Sequence, residues 1–195
     1  MELVKNLLAV GFLAAATASQ ATVIDFDDLG AGVVVGASYA GLGVTFVNAE
    51  TAPFGGLPGG TPPMAIVHDT LFSTFGPADS IIATFAAPVT SVSLTGIDVG
   101  AAGFLMTAYD ALIGGSVVDT DSFIGVGIGV GDFHTLTLTG SGILRVEFSQ
   151  VVAGAESDGI AFDTLVFDGA VPEPGTSALL MLGLAAAGAL SRRRR

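Results

Sequence analysis

A chain of 195 residues with 13 phenylalanines, 28 glycines and no cysteine or tryptophan can bury a core, but has no disulfide, thiolate nucleophile or thiolate metal site. Its 18 acids outnumber its 6 basic residues, and the net charge of −12 works against binding nucleic acid or an anionic membrane. Charged residues are only 12% of the chain, which separates it from disordered acidic tails.

Met1 to Asn6 holds Lys5, Leu7 to Ala16 is an apolar run, and Ala16-Thr17-Ala18 supplies small residues at A-x-A spacing. That order reads as an export signal for the Sec machinery over residues 1–21, its apolar part too short to span a bilayer. Cleavage falls between Ala18 and Ala21. The later site, Ser19-Gln20-Ala21, is favoured because Thr22-Val23-Ile24 already reads as a strand.

From residue 22 to 170 the chain suits one domain of about 150 residues. Its only basic residue is Arg145, against sixteen acids, a net of −15. Short β-branched and Phe-bearing runs alternate with Gly, Pro and Asp, which predicts strands and no substantial helix. Val23 to Asp27 alternates, placing Ile24 and Phe26 on one face and Asp25 and Asp27 on the other. Asp28 to Gly32 is a turn, and Val44 to Asn48 the next strand. Thr51 to Pro63, dense in Gly and Pro, reads as a long loop. Met64 to His68 is a short strand, and Ser80 to Phe85 and Val89 to Val99 are two strands broken by Pro88. Phe104 to Tyr109 and Ser116 to Ser122 form a hairpin. Phe133 to Thr139 and Ile143 to Ser149 form another, turned by Gly140-Ser141-Gly142. Ile160 to Phe167 closes the domain. Eight to ten strands at this spacing predict an all-β, antiparallel, jelly-roll-like β-sandwich with its first and last strands side by side.

Residues 171–195 are organised differently. Pro172-Glu173-Pro174 is an extended breaker, Ala178 to Leu190 is an uncharged run of helix formers, and Arg192, Arg193, Arg194 and Arg195 end the chain. The apolar segment spans sixteen residues from Gly175 to Leu190, short of the ~20 that cross a hydrocarbon core comfortably. It is a marginal permanent anchor, with its arginines on the cytoplasmic side. This tail resembles the PEP-CTERM sorting signal of Gram-negative bacteria. The resemblance implies a transient inner-membrane helix, processing by an exosortase near Pro172-Glu173-Pro174, and a destination at the cell surface or in an extracellular matrix with exopolysaccharide. Ile24 to Leu29, Tyr39 to Phe46 and Gly159 to Phe167 are similar to ectodomains found in front of such tails, a looser likeness that implies fold rather than function.

Candidate chemistry is sparse. There is no G-x-S-x-G, H-E-x-x-H or P-loop, and His68 and His134 lack an evident nucleophile, so a non-enzymatic role is expected. Asp25, Asp27 and Asp163, with Asp158, are candidate ligands for a structural Ca2+ if the first and last strands meet, since calcium takes six to eight hard oxygens. The resemblance to sugar-binding jelly rolls points the same way. The competing reading is a set of acids solvating an outer face. Asp119-Thr120-Asp121 reads as an exposed strand end, and His68-Asp69 as an imidazole–carboxylate pair or a loop edge. Gly125 to Gly131 alternates glycine with Val and Ile: a flexible loop, or a strand whose bare face lets another backbone approach. With no Trp, sugar stacking falls to Tyr109, beside Asp110, as the candidate glycan-binding pair. The function expected is a surface or matrix component, and the alternative is a lectin-like module with structural calcium.

Overall fold

The computed structural model describes residues 20–55, 59–69, 75–127, 132–152 and 159–168. Both terminal segments, including the expected signal, sorting motif and Arg cluster, lie outside them. Among the described residues there is no α-helix, and none long and apolar enough to cross a membrane. The strands are β1 (Ala21–Ile24), β2 (Val44–Val47), β3 (Ala49–Pro53), β4 (Met64–His68), β5 (Ile81–Val99), β6 (Phe104–Tyr109), β7 (Val117–Phe123), β8 (Asp132–Ser149) and β9 (Ala161–Asp168). All pairings between them are antiparallel.

The architecture hangs on β5 and β8, which sequence reasoning divides into four strands. Each is continuous, and they pair with one another along their length. The partners run Ile81↔Phe148 to Thr84↔Arg145, resume at Val89↔Ile143, and resume again at Ser91↔Thr139. Pro88 therefore falls in an unpaired bulge on β5, where its missing N–H costs no ladder bond. Gly140-Ser141-Gly142 forms the answering bulge on β8 and bends the strand instead of reversing it. Gly142 has φ 80°, and a Cβ at Gly140 would lie 2.3 Å from Cγ1 of Val118. These glycines serve backbone geometry and close approach to β7, two demands that a hairpin turn mimics in sequence.

The bends carry the pair from one sheet to the other. The first sheet runs β2, first half of β5, second half of β8, β6, β7; the second runs β3, β4, β9, second half of β5, first half of β8. β1 lies along the end of β9, from Ala21↔Asp168 to Ile24↔Leu165, so the first and last strands do pair. Rings from opposite sheets fill the space between: Phe162 of β9 sits 4.9 Å from Phe148, 5.1 Å from Phe104 and 6.1 Å from Phe75. Phe26, Tyr39 and Phe46 form an edge-to-face trio at 5.6–6.3 Å beside them.

Two local expectations change. The first strand stops at Ile24, because Phe26 takes a left-handed φ of 62°. For a bulky residue that costs about 1–2 kcal/mol, offset by complete burial of the ring. Asp25 and Asp27 consequently belong to a turn, in which the Asp27 N–H donates to Asp25 Oδ1 at 3.3 Å. The segment from Thr51 to Pro63 is also less open than its composition suggests. β3 runs through Pro53 and pairs with β4, and Phe54 then packs with Ala65 and Ile97 in a small second core. Ala65 and Ala161 alternate with Ile66 and Phe162, so this second core lies on the outer face of the second sheet.

Candidate functional site

The turn after β1 and the buried carboxylate of β9 come close, as the pairing of first and last strands requires. Asp163 is completely buried, and its carboxylate accepts from Thr61 N–H (2.6 Å), Thr61 Oγ1 (3.0 Å) and Thr164 N–H (2.6 Å). Burial raises its pKa, those three bonds oppose the rise, and the nearby charge of Asp27 adds to it. Asp27 Oδ1 accepts from Met64 N–H at 2.8 Å, and Asp28 Oδ1 accepts the Tyr39 hydroxyl at 2.5 Å. Burial first, then Asp28, Asp25 and Asp27, push the Tyr39 phenol well above its ordinary range. These oxygens hold the 59–63 loop onto β9 and the first turn onto β4 and Tyr39. Among the described residues no three His, Cys, Asp or Glu side chains converge as a metal-ligand set, and Asp158 lies outside those residues.

Tyr109 and Asp110 are also engaged internally. Arg145, 8% exposed, places its guanidinium carbon 4.2 Å from the Tyr109 ring centroid. Its Nη1 and Nη2 donate to the carbonyls of Leu112 (3.1 Å) and Gly114 (3.0 Å), and its Nε meets Glu147 Oε1 at 3.2 Å. Asp110 Oδ1 accepts the Ser116 N–H at 2.7 Å, closing the same β6–β7 turn. The single Lys or Arg of residues 22–170 is thus the clamp of a hairpin, a role that net charge does not reveal. A shallow cleft of about 280 Å3 opens beside this turn, between Gly43–Thr45, Thr84–Ala86, Leu112 and Leu144.

The remaining candidates resolve individually. His68 is buried against Phe75, with Asp69 at 3.5 Å as its expected neighbour and Asp79 at 3.7 Å as one that sequence spacing conceals. Asp119 lies within β7 instead of at a strand end, and its Oδ2 accepts the Thr139 N–H at 2.8 Å, tying β7 to β8. Gly125 lies outside the strands, yet a Cβ there would sit 1.8 Å from the Val99 carbonyl oxygen, so backbone approaches it closely. Residues 128–131 lie outside the described residues.

One surface was missed by the sequence reading. On the second sheet Ser91 faces Thr139, Ser93 faces Thr137, and Thr95 faces Thr135. The Ser93 and Thr137 hydroxyls are 2.9 Å apart, those of Thr95 and Thr135 2.8 Å apart. Phe133 continues the outward row of β8 and is 53% exposed. The signal was present as Ser91-Val92-Ser93-Leu94-Thr95 and Thr135-Leu136-Thr137-Leu138-Thr139. Pairing β8 with itself as a hairpin hid it.

At the lower end of this face, Asp168 accepts from Thr90 N–H and Ser91 N–H, both at 2.8 Å, and from the Thr90 hydroxyl. Desolvation would raise its pKa, but these donors outweigh it and lower the pKa. A depressed folded-state pKa stabilises above the unfolded value and is lost as pH falls through the folded one. Asp168→Asn is therefore expected to cost about 1 kcal/mol at neutral pH, by replacing charge-assisted hydrogen bonds with neutral ones. Urea midpoints of the two proteins should converge as pH drops below the carboxylate range; a gap that persists in acid would assign the loss to packing.

Comparison with known proteins gives two kinds of result. No curated protein matches the chain. Among solved structures, the K2 cleaved adhesin domain of Lys-gingipain (Kgp) is 14% identical with a TM-score of 0.48, covering 76% of this chain and 99% of that one. A family 29 carbohydrate-binding module is 14% identical at a TM-score of 0.37, covering 76% and 88%. CBM35 from Paenibacillus barcinonensis is 11% identical at 0.35, covering 76% and 99%. These are loose likenesses of shape. The family model of the PEP-CTERM protein-sorting motif matches residues 170–195. C-terminal to its antiparallel β-sandwich, the chain carries a PEP-CTERM protein-sorting motif.

Proposed function

We propose that the chain is an exported, non-enzymatic protein of the cell surface or extracellular matrix, cut by an exosortase near Pro172-Glu173-Pro174, whose sandwich associates with exopolysaccharide. The observation that carries this reading is the sorting motif at residues 170–195. The disposition of the acids supports it. Asp27, Asp110, Asp119, Asp163 and Asp168 all accept backbone N–H groups, which is structural employment rather than paired acid–base work. Calcium enters only as a loose bridge between exposed carboxylates and the matrix, and a chelator wash that leaves matrix-bound protein in place would remove it. A lectin-like module is the competing reading, distinguished by binding that survives high salt.

The test is intact mass and cell fractionation of the native protein beside a variant with Pro172→Ala, Glu173→Ala and Pro174→Ala. Wild type should run from about Thr22 to near Val171 and leave the membrane fraction, whereas the variant should stay full-length and membrane-retained. Wild type that keeps Arg195 in its final product would overturn the sorting reading.

A further inference from the structure

The geometry points to the Ser/Thr face of the second sheet, with Phe133 at its end, as the surface on which a neutral polysaccharide chain lies. This deepens the reading above, and rests on it, by naming the contact face and the class of sugar polymer.

The first argument is hydrogen-bond chemistry. Each hydroxyl brings one donor and two lone pairs. The Ser93–Thr137 and Thr95–Thr135 pairs each use one donor and one lone pair between their two side chains. What remains per pair is one donor and three lone pairs, a mixed set. An anion asks for donors alone, and a cation for acceptors carrying charge. A partner that both gives and takes hydrogen bonds at neighbouring atoms, as sugar hydroxyls do, matches the set.

Charge gives the second argument. The exported span carries a net −15, yet Phe133, Thr135, Thr137, Thr139, Ser91 and Ser93 include no ionisable group. Carboxylates border the face at its ends, Asp168 at Ser91 and Asp119 at Thr139, each accepting backbone N–H groups, and Asp163 opposite Thr95 is completely buried and held by Thr61 and Thr164. A neutral window on an acidic protein admits an uncharged polymer, while the surrounding field repels an acidic one.

Shape gives the third. The threonines of β8 recur every second residue, about 6.6 Å apart, and β5 lies about 4.8 Å to the side. The array is thus long in one direction and flat, fitting a chain better than a single sugar. Phe133, 53% exposed, offers a ring to the C–H face of a sugar where the hydroxyls end. Gly59 backs that ring: a Cβ there would lie 2.4 Å from Phe133, so the 59–63 loop braces it.

The experiment uses the protein as released by the producing cells, in co-sedimentation with insoluble cellulose, mannan and xylan and in affinity electrophoresis through dextran, with alginate as the acidic control. Two variants accompany it: the triple Thr135→Val, Thr137→Val, Thr139→Val, which keeps β-branching and deletes three hydroxyls, and Phe133→Ala. Wild type should bind at least one neutral polymer and not alginate. The triple variant should remain folded, somewhat less stable because buried Thr95 loses its hydroxyl partner, and bind that polymer roughly tenfold more weakly at a temperature well below its melting; Phe133→Ala should also bind it more weakly. A triple variant that binds as wild type does overturns the face but leaves the polysaccharide reading standing. Wild type that binds none of the polymers, or binds alginate best, overturns both. If the triple variant alters self-association while binding is unchanged, the face is an interface between copies, and the inference fails.

Discussion

Arg145→Ala is expected to lower the unfolding free energy by about 3–5 kcal/mol, because removing one partner strands the groups that a buried charge satisfied. The groups left behind are the carbonyls of Leu112 and Gly114, the Glu147 carboxylate and one face of the Tyr109 ring. For a domain of about 150 residues that loss shifts the melting temperature by roughly 10 °C. Arg145→Lys should recover little, since an ammonium cannot span two carbonyls, a carboxylate and a ring as the planar fork does. Urea denaturation gives the magnitude, and limited proteolysis at residues 110–116 gives the mechanism. Cleavage there should accelerate in the native state of both variants. A stability loss below about 1 kcal/mol would place the clamp among weak surface pairs and refute this account.

Phe162→Ala should cost about 3–5 kcal/mol as well, by a different route: the lost ring leaves a cavity between two sheets that cannot both move inward. Phe162 is completely buried and meets Phe75, Phe104 and Phe148, so with Phe167, whose ring lies 5.0 Å from Phe85, it joins β9 to the opposite sheet. Phe162→Leu should cost about 1–2 kcal/mol, part of the volume being kept. The pair of denaturation curves separates cavity from chemistry. Equal losses for Ala and Leu would mean that ring–ring geometry, rather than volume, sets the energy. The two effects should add, since Arg145 clamps a surface turn while Phe162 fills the interior.

The strands themselves were legible wherever a single run carries its own alternation and its own stops. Met64–His68 and Phe104–Tyr109 fall where composition puts them, and the β6–β7 hairpin follows from a short turn between two apolar runs. Reading failed where one sequence feature serves two geometries. Gly140-Ser141-Gly142 and Pro88 signal an interruption, and neither says whether the chain reverses or only bends. The answer lies in the partner strand: the two interruptions flank the single Val89↔Ile143 pair of the β5–β8 ladder, so the pair bends as one. The same ambiguity concealed the hydroxyl face. Its two rows lie about forty residues apart, and no local rule aligns Ser93 with Thr137.

Local chemistry settled what local chemistry can. The tail at residues 170–195 is recognisable because its motif, apolar run and arginines act in linear order, and the family match agrees. The all-β class follows from alternation and breakers, which are short-range properties of the chain. Tertiary structure decided the rest. Backbone donors engage an oxygen of each of Asp25, Asp27 and Asp163, and Arg145 covers one face of the Tyr109 ring. Whether a polar side chain is available to a ligand depends on which donors the fold brings to it from distant segments, Thr61 to Asp163 being one hundred and two residues apart. That pairing is a property of register and layer, which one linear pattern leaves open.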